Sequence, residues 1–325
     1  MRELRRDPLL HRWVLVTDEQ PPADRTAPDA SAPCPLCPGR ESLTPHELYA
    51  ERRGDDGRWR VRVVPNRAPL LAVEGPLLGR GSGPYDWHSA IGAHEVVVES
   101  PRHTVDLDEL PVDEVESVLV AWRERIVDLK RDSRFQYLYA FRARGALAGA
   151  RLWHPHSQIL ALPFVPPLVA HEELQAAAHF AHHGRCLLCD LIATELSDKV
   201  RIVAEQPEFI AFCPYASTAP FEIWIVPRHH RPTFEHSPHS ETSKMAMLLG
   251  DMIGRLRRAT ENAAYLTGLH NSPTQRGDQP HLHYSLRLTP VMLHSAAALS
   301  DLGTAVNPVP PEIAAAHLRE LASAR

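Results

Sequence analysis

His154-Pro155-His156-Ser157-Gln158-Ile159-Leu160-Ala161-Leu162 is the stretch on which the reading of this chain turns. Its last four residues form an apolar, strand-length run, so the two histidines open a strand rather than decorate a helix. Side chains two positions apart on a strand share a face. One ring can therefore bind a metal while the other turns a ring nitrogen toward a substrate. A single His-x-His says little, but the second half of the chain repeats it as His281-Leu282-His283 in similar surroundings.

Working outward from that stretch, one order of elements occurs twice. The first half runs from Cys34-x-x-Cys37 through predicted strands over 60–64 and 95–99 to Ser100-Pro101-Arg102-His103. A helix over 112–131 follows, with Val115, Val118, Leu119, Trp122, Ile126 and Leu129 on one apolar face, and then a strand over 137–141 leads to His154. The second half runs from Cys186-x-x-Cys189 through strands over 200–203, 209–212 and 221–226 to Pro227-Arg228-His229-His230. A helix over 241–260 and a strand over 264–268 then lead to His281. His103 to His154 is 154 − 103 = 51 residues, and His230 to His281 is 281 − 230 = 51 residues. The fold class that follows is α+β. Two units, 1–175 and 176–325, each carry an antiparallel sheet with one long helix, related by a pseudo-twofold axis. Residues 20–33 and 75–92 read as long loops, and 170–185 as a short helix and linker.

Bulk composition narrows the function. The chain has 325 residues, 44% hydrophobic and 23% charged, with a net charge of −5. That balance gives no electrostatic case for nucleic-acid or bilayer binding, and no apolar run is long enough to span a membrane. The first residues lack the apolar core of a signal peptide, so a cytoplasmic location is the expectation. There a Cys-x-x-Cys pair is a metal or redox site before it is a disulfide. The fifth cysteine, Cys213, lies in an apolar run and reads as an inert core thiol.

The repeat predicts two equivalent ligand sets: Cys34, Cys37, His103 and His154, and Cys186, Cys189, His230 and His281. Both are Cys₂His₂, which suits tetrahedral Zn²⁺ with no open position, so two structural zinc sites per chain are expected. His229 competes with His230, and the 51-residue spacing favours His230. A different second site, built from Glu172, His270, His281 and His283, is the alternative, although it leaves Cys186 and Cys189 unexplained.

The halves differ after the second histidine. Only the first places a glutamine, Gln158, two residues beyond it. With His154 on zinc, His156 is free to act as a nucleophile toward an activated phosphorus, forming a covalent phosphoramidate. An acceptor on its other ring nitrogen would fix the tautomer. Gln158 would donate an amide hydrogen to a phosphate oxygen near the ring.

These motifs resemble the galactose-1-phosphate uridylyltransferase family of the histidine-triad superfamily over nearly the whole chain. The likeness rests on Arg6-Asp7-Pro8-Leu9 with Arg12-Trp13-Val14-Leu15-Val16, Cys34-Pro35-Leu36-Cys37-Pro38-Gly39, Val64-Pro65-Asn66, Glu95-Val96-Val97-Val98-Glu99-Ser100-Pro101, His154-Pro155-His156-Ser157-Gln158 and Pro220-Phe221-Glu222. The resemblance implies a tandem histidine-triad fold, a homodimer, and ping-pong transfer of a nucleoside monophosphate between a nucleotide sugar and a sugar 1-phosphate. It puts His156 in the nucleophile's place, Gln158 beside the transferred phosphoryl, and Asn66 at a nucleotide-contacting position. Ser157 joins the substrate-binding set as part of the motif. The second Cys-x-x-Cys, Phe221 to Pro227 and Asn307-Pro308-Val309 look closer to a two-zinc branch. That branch includes nucleotide-sugar phosphorylases, which use inorganic phosphate as acceptor.

One family motif is altered. Asn-x-Gly-x-x-x-Gly-x-Ser keeps Gly145 and Gly149, but Ala143 replaces the Asn and Arg151 the Ser. Losing a polar contact shifts specificity, while Arg151 offers a planar fork suited to phosphate. Gln158, Arg151 and backbone amides near Gly149 are the expected charge stabilisers. A zinc-stabilised nucleotide-binding protein without turnover is the remaining alternative.

Overall fold

A computed structural model of the chain describes residues 2–8, 12–17, 33–53, 57–103, 105–274, 276, 279–292 and 303–322. Most of the predicted 20–33 loop lies outside the described residues.

The first half supplies strands β1 (Arg2–Arg6), β2 (Trp13–Thr17), β3 (Tyr49–Arg53), β4 (Arg58–Pro65), β5 (Gly79–Ser82), β6 (Tyr85–Ser89), β7 (Ala93–Val98), β8 (Tyr137–Arg144) and β9 (His156–Leu162), with helix α1 (Val112–Leu129). Helices α2 (Pro167–His183) and α3 (Leu187–Asp198) lead into β10 (Ile202–Glu205), β11 (Phe209–Phe212) and β12 (Ile223–Pro227). Then come α4 (His239–Ala259), β13 (Ala264–His270), β14 (Ser285–Val291) and α5 (Pro311–Glu320).

Ten of these strands form one antiparallel sheet in the order β10-β11-β12-β14-β13-β8-β9-β7-β4-β3. Five come from each half, and their order mirrors about the seam where β13 pairs with β8, Tyr265 opposite Arg144 and Gly268 opposite Phe141. The repeat in sequence is thus a pseudo-twofold in space, with the two half-sheets joined edge to edge. The predicted junction at 175/176 falls inside α2, a 17-residue helix where a shorter one with a linker was expected.

One face of the sheet carries α1, α4 and α5. Val115, Val118, Leu119, Trp122 and Ile126 from α1 meet Met245, Leu249, Met252 and Ile253 from α4 in a core that spans both halves. Burial of an apolar stripe of this width is the main stabilisation of such helices. The opposite face is covered in part: at the end of β9 Leu162 packs against Leu4, Leu71 and Ala90. In the first half the Cys34–Leu36 segment packs there with Trp59 and Val98. In the second half Ile192 of α3 packs with Ile210, Phe212 and Val226.

The glycine-rich 75–92 stretch is not a loop. It contains the hairpin β5–β6, closed at Gly83 (φ +59°), and β6 pairs with β1 in a second sheet ordered β2-β1-β6-β5. Gly79 lies opposite His88, where a β-carbon would come within 2.8 Å of the imidazole. This glycine marks a close approach between strands and not a turn.

Candidate active site and metal centres

Strand alternation positions the reactive residues. Along β9, His156 and Gln158 lie on the open face of the sheet, whereas Ser157 points to the helix side. Ser157 is fully buried, with 0% exposure, and its hydroxyl accepts from Trp122 Nε1 of α1 at 2.8 Å. The expectation of Ser157 as a substrate contact is therefore corrected, because the period of two along a strand turns it away from the cleft.

The His156 ring is held by its own chain. Nδ1 donates to the His154 carbonyl at 2.8 Å, which leaves the Nε2 lone pair free. Burial holds its pKa below the ordinary histidine value, and the nearby Arg142 guanidinium acts in the same direction. A neutral imidazole with one fixed tautomer is the form a nucleophile needs.

Asn66, Gly149, Arg151, His156 and Gln158 all line one cleft of about 360 Å³, together with Arg67, His94 and Phe141. Gly149 takes φ +87° at the end of the short 3₁₀ turn over Ala146–Ala148, a conformation glycine adopts at no steric cost. His156 also lines a second cavity, of about 260 Å³, with Arg142, Ala143, Arg144, Arg257 and Asp106. Ala143, at the altered family position, sits in that second cavity beside charged groups. His94 and Arg67 were missed from sequence. The expected strand over 95–99 began one residue too late to place His94 on the Gln158 face, whereas β7 begins at Ala93. Arg67 follows the recognised Asn66 and had no signal of its own.

Next to the nucleophile, Cys34, Cys37, His103 and His154 converge, their ligand atoms within 4.8 Å of one another. Cys37 Sγ lies 3.3 Å from His103 Nδ1 and 3.6 Å from His154 Nδ1. A tetrahedral ion with ordinary Zn–S and Zn–N bonds requires sulfur-to-nitrogen edges of about 3.5 Å. The outer nitrogen of His154, Nε2, donates to the Ser100 carbonyl at 2.7 Å, so Nδ1 presents its lone pair to the sulfurs.

The second cluster is Cys186, Cys189, His230 and His283. Cys189 Sγ is 3.5 Å from both His230 Nδ1 and His283 Nδ1, and His283 Nε2 donates to the Pro227 carbonyl at 3.1 Å. His283, and not the expected His281, fills the fourth place. The ligand stands two residues before the strand in each half, His154 before His156 of β9 and His283 before Ser285 of β14. The interval from His230 is therefore 283 − 230 = 53 residues, two more than in the first half. His281 packs instead near Phe180, with ring centroids 6.4 Å apart.

The alternative set of Glu172, His270, His281 and His283 lines one pocket, with His270 Nδ1 3.9 Å from Glu172, but does not converge as a ligand cluster among the described residues. Both Glu172 oxygens are held by Arg287, at 2.7 and 3.0 Å, and His283 belongs to the cysteine cluster. Counting from β14, Ser285 and Arg287 occupy the places of His156 and Gln158. The second half thus has no histidine at that place, and its arginine lies over Trp224, 4.0 Å from the ring centroid.

Cys213 is buried in the main core and its thiol is pushed up to about 12 by burial, in keeping with an inert role. No helix among the described residues is long and apolar enough to cross a membrane.

Comparison with known proteins gives a consistent picture. The family model of the galactose-1-phosphate uridyl transferase N-terminal domain matches residues 80–166, and that of the C-terminal domain matches residues 172–324. The chain is 31% identical to ADP-glucose phosphorylase of Arabidopsis thaliana over 332 aligned residues, covering 98% of this chain and 93% of that protein. It is 27% identical to galactose-1-phosphate uridylyltransferase of Thermotoga maritima, covering 98% of each. Its backbone superposes on the crystal structure of the Arabidopsis ADP-glucose phosphorylase with bound ADP-glucose, with a TM-score of 0.79 and 29% identity over 99% of this chain and 100% of that one.

Proposed function

The chain belongs to the galactose-1-phosphate uridyl transferase family and is a nucleotidyltransferase, and we propose that His156 is its nucleophile in ping-pong exchange between a nucleotide sugar and a sugar 1-phosphate. His156 Nε2 attacks the α-phosphorus. The P–N bond forms as the P–O bond to the departing sugar phosphate breaks, and the leaving oxygen keeps the electron pair. A phosphate oxygen of the acceptor then attacks the same phosphorus and releases the imidazole. Gln158 and Arg151 stabilise charge on the equatorial oxygens, with backbone amides near Gly149, and Asn66 contacts the nucleotide. The observation that carries this reading is the His156 Nδ1–His154 carbonyl bond at 2.8 Å, which aims a neutral imidazole lone pair from the wall of an open cleft.

Zn²⁺ is the ion proposed for both clusters, held by Cys34, Cys37, His103 and His154 and by Cys186, Cys189, His230 and His283. Bound there it supplies structural cross-linking, and in the first cluster it clamps the residue two places before the nucleophile. A homodimer and a cytoplasmic location belong to the same proposal.

Incubation of the protein with UDP-glucose or ADP-glucose, followed by intact-mass measurement, tests the reading. A uridylyl or adenylyl adduct is expected on the wild type and none on His156→Gly. An adduct of equal yield on the variant overturns the assignment.

A second reading has a specific observation behind it. Inorganic phosphate as acceptor is favoured by the 31% identity to an ADP-glucose phosphorylase and by Arg151, a phosphate-matched fork at the altered motif position. Discharge of the labelled enzyme by phosphate alone, compared with discharge by a hexose 1-phosphate, separates the two.

A further inference from the structure

We propose that His94 is a positioning residue for nucleotidyl transfer: its Nε2–H captures the Gln158 carbonyl, so that the amide groups of Gln158 and Asn66 are left for a phosphate oxygen of the substrate. The inference rests on the reading of His156 as nucleophile given above.

His94 lies on β7, only 8% exposed, and β7 pairs with β9 so that Val96 stands opposite Gln158. Its Nδ1 accepts the backbone N–H of Leu70 at 3.1 Å. A ring nitrogen that accepts carries no hydrogen, so on a neutral ring the hydrogen is on Nε2. Burial favours the neutral form and holds the pKa of His94 below its ordinary value. Nε2–H therefore donates to Gln158 Oε1, at 2.7 Å. The opposite amide orientation would leave the Nε2 hydrogen without an acceptor, because Asn66 also turns its amide nitrogen to this ring atom.

Asn66 completes the arrangement. Its Oδ1 accepts the backbone N–H of Ala68 at 3.0 Å, which leaves Nδ2 facing His94 Nε2 at 3.1 Å. That ring nitrogen has no lone pair to offer. Neither Gln158 Nε2 nor Asn66 Nδ2 then has a protein acceptor among the described residues, and both side chains line the cleft that holds His156. Donors left unmatched in a half-buried cleft favour a ligand that brings acceptors, and a phosphoryl group brings only acceptors. One buried ring thus dictates the polarity of the wall facing the nucleophile. A structural histidine with interchangeable partners would impose no such polarity.

The test is single-turnover labelling of His156, with ADP-glucose or UDP-glucose as donor, in His94→Met and His94→Gln. Methionine fills similar space without an N–H, whereas glutamine can return one to the same place. Labelling is expected to slow about 100-fold in the methionine variant, the scale of losing one preorganised transition-state contact. The donor concentration giving half the maximal rate should move less than about threefold. The glutamine variant should recover to within about tenfold of wild type. Wild-type labelling rates in His94→Met, or equal slowing in both variants, overturn the role of His94 while leaving the nucleophile in place. A wild type that neither donor labels overturns the transfer reading and this inference together. If both variants fail to fold, the ¹⁵N spectrum of the wild-type imidazoles decides: a hydrogen on Nε2 of His94 supports the assignment, and one on Nδ1 overturns it.

Discussion

At the residue scale, neighbours in one strand have unrelated work. His156 faces the cleft, while Ser157 ties the strand to α1 through Trp122. That division makes a prediction that the motif by itself would get wrong. Ser157→Ala leaves the buried Trp122 N–H without its acceptor, and an unsatisfied buried donor costs about 1–3 kcal/mol. Urea unfolding should therefore show a loss of that size, while the rate of His156 labelling at saturating donor changes by less than about threefold. A large rate loss with unchanged stability would put the hydroxyl in contact with substrate after all.

At the scale of elements, legibility depended on what the pattern encoded. The apolar stripe of α1 and the alternation along β9 were visible, because burial imposes their periods directly. The first Cys-x-x-Cys set converges as read from sequence. The second was read with one wrong member, since equal spacing was counted from histidine to histidine, while the geometry counts back from the start of the strand. Two extra residues before β14 moved the ligand from His281 to His283, and a connecting loop absorbs such an insertion without disturbing the sheet. The 75–92 hairpin was hidden because its glycines allow close strand approach and look like turn residues. His94 was hidden because its partners, Leu70 and Gln158, are far off in sequence and meet only when β7 and β9 pair. The register shift can be checked by metal analysis. His283→Ala should reduce bound zinc from about two per chain to about one, whereas His281→Ala should retain about two. The opposite pattern would restore the 51-residue register.

Across the whole molecule, the seam between the halves is polar as well as apolar. Arg142 on β8 is buried among Glu99, Asp106 and Tyr265, at 2.8, 2.9 and 2.7 Å, and Arg144 reaches the same Asp106 at 2.6 Å. Tyr265 belongs to the second half and donates to Asp106 at 2.8 Å, so this aspartate links the two units beside the His156 cavity. Burial alone would raise its pKa, but Arg142, Tyr265 and Arg144 together hold it below the ordinary carboxylate value. Asp106→Asn leaves buried guanidinium charge short of a partner, and thermal or urea unfolding should record a loss of about 3–5 kcal/mol. A partly buried histidine adds to the acid sensitivity of the molecule. His270 at the end of β13 is pushed down to about 3, by burial first and then by Arg287. An unfolded histidine titrates near 6.5. As pH falls below that value the unfolded chain takes up a proton that the folded protein refuses, so stability is fully present above pH ~6.5 and declines toward pH ~3. The contribution of one such site is at most about 1.4 kcal/mol per pH unit. His270→Asn removes the site, and a series of urea midpoints between pH 6 and pH 4 should then slope less steeply than wild type by roughly one proton. An unchanged slope would mean that the imidazole is protonated in the folded protein, and that Arg287 and the surrounding cavity do not exclude its charge.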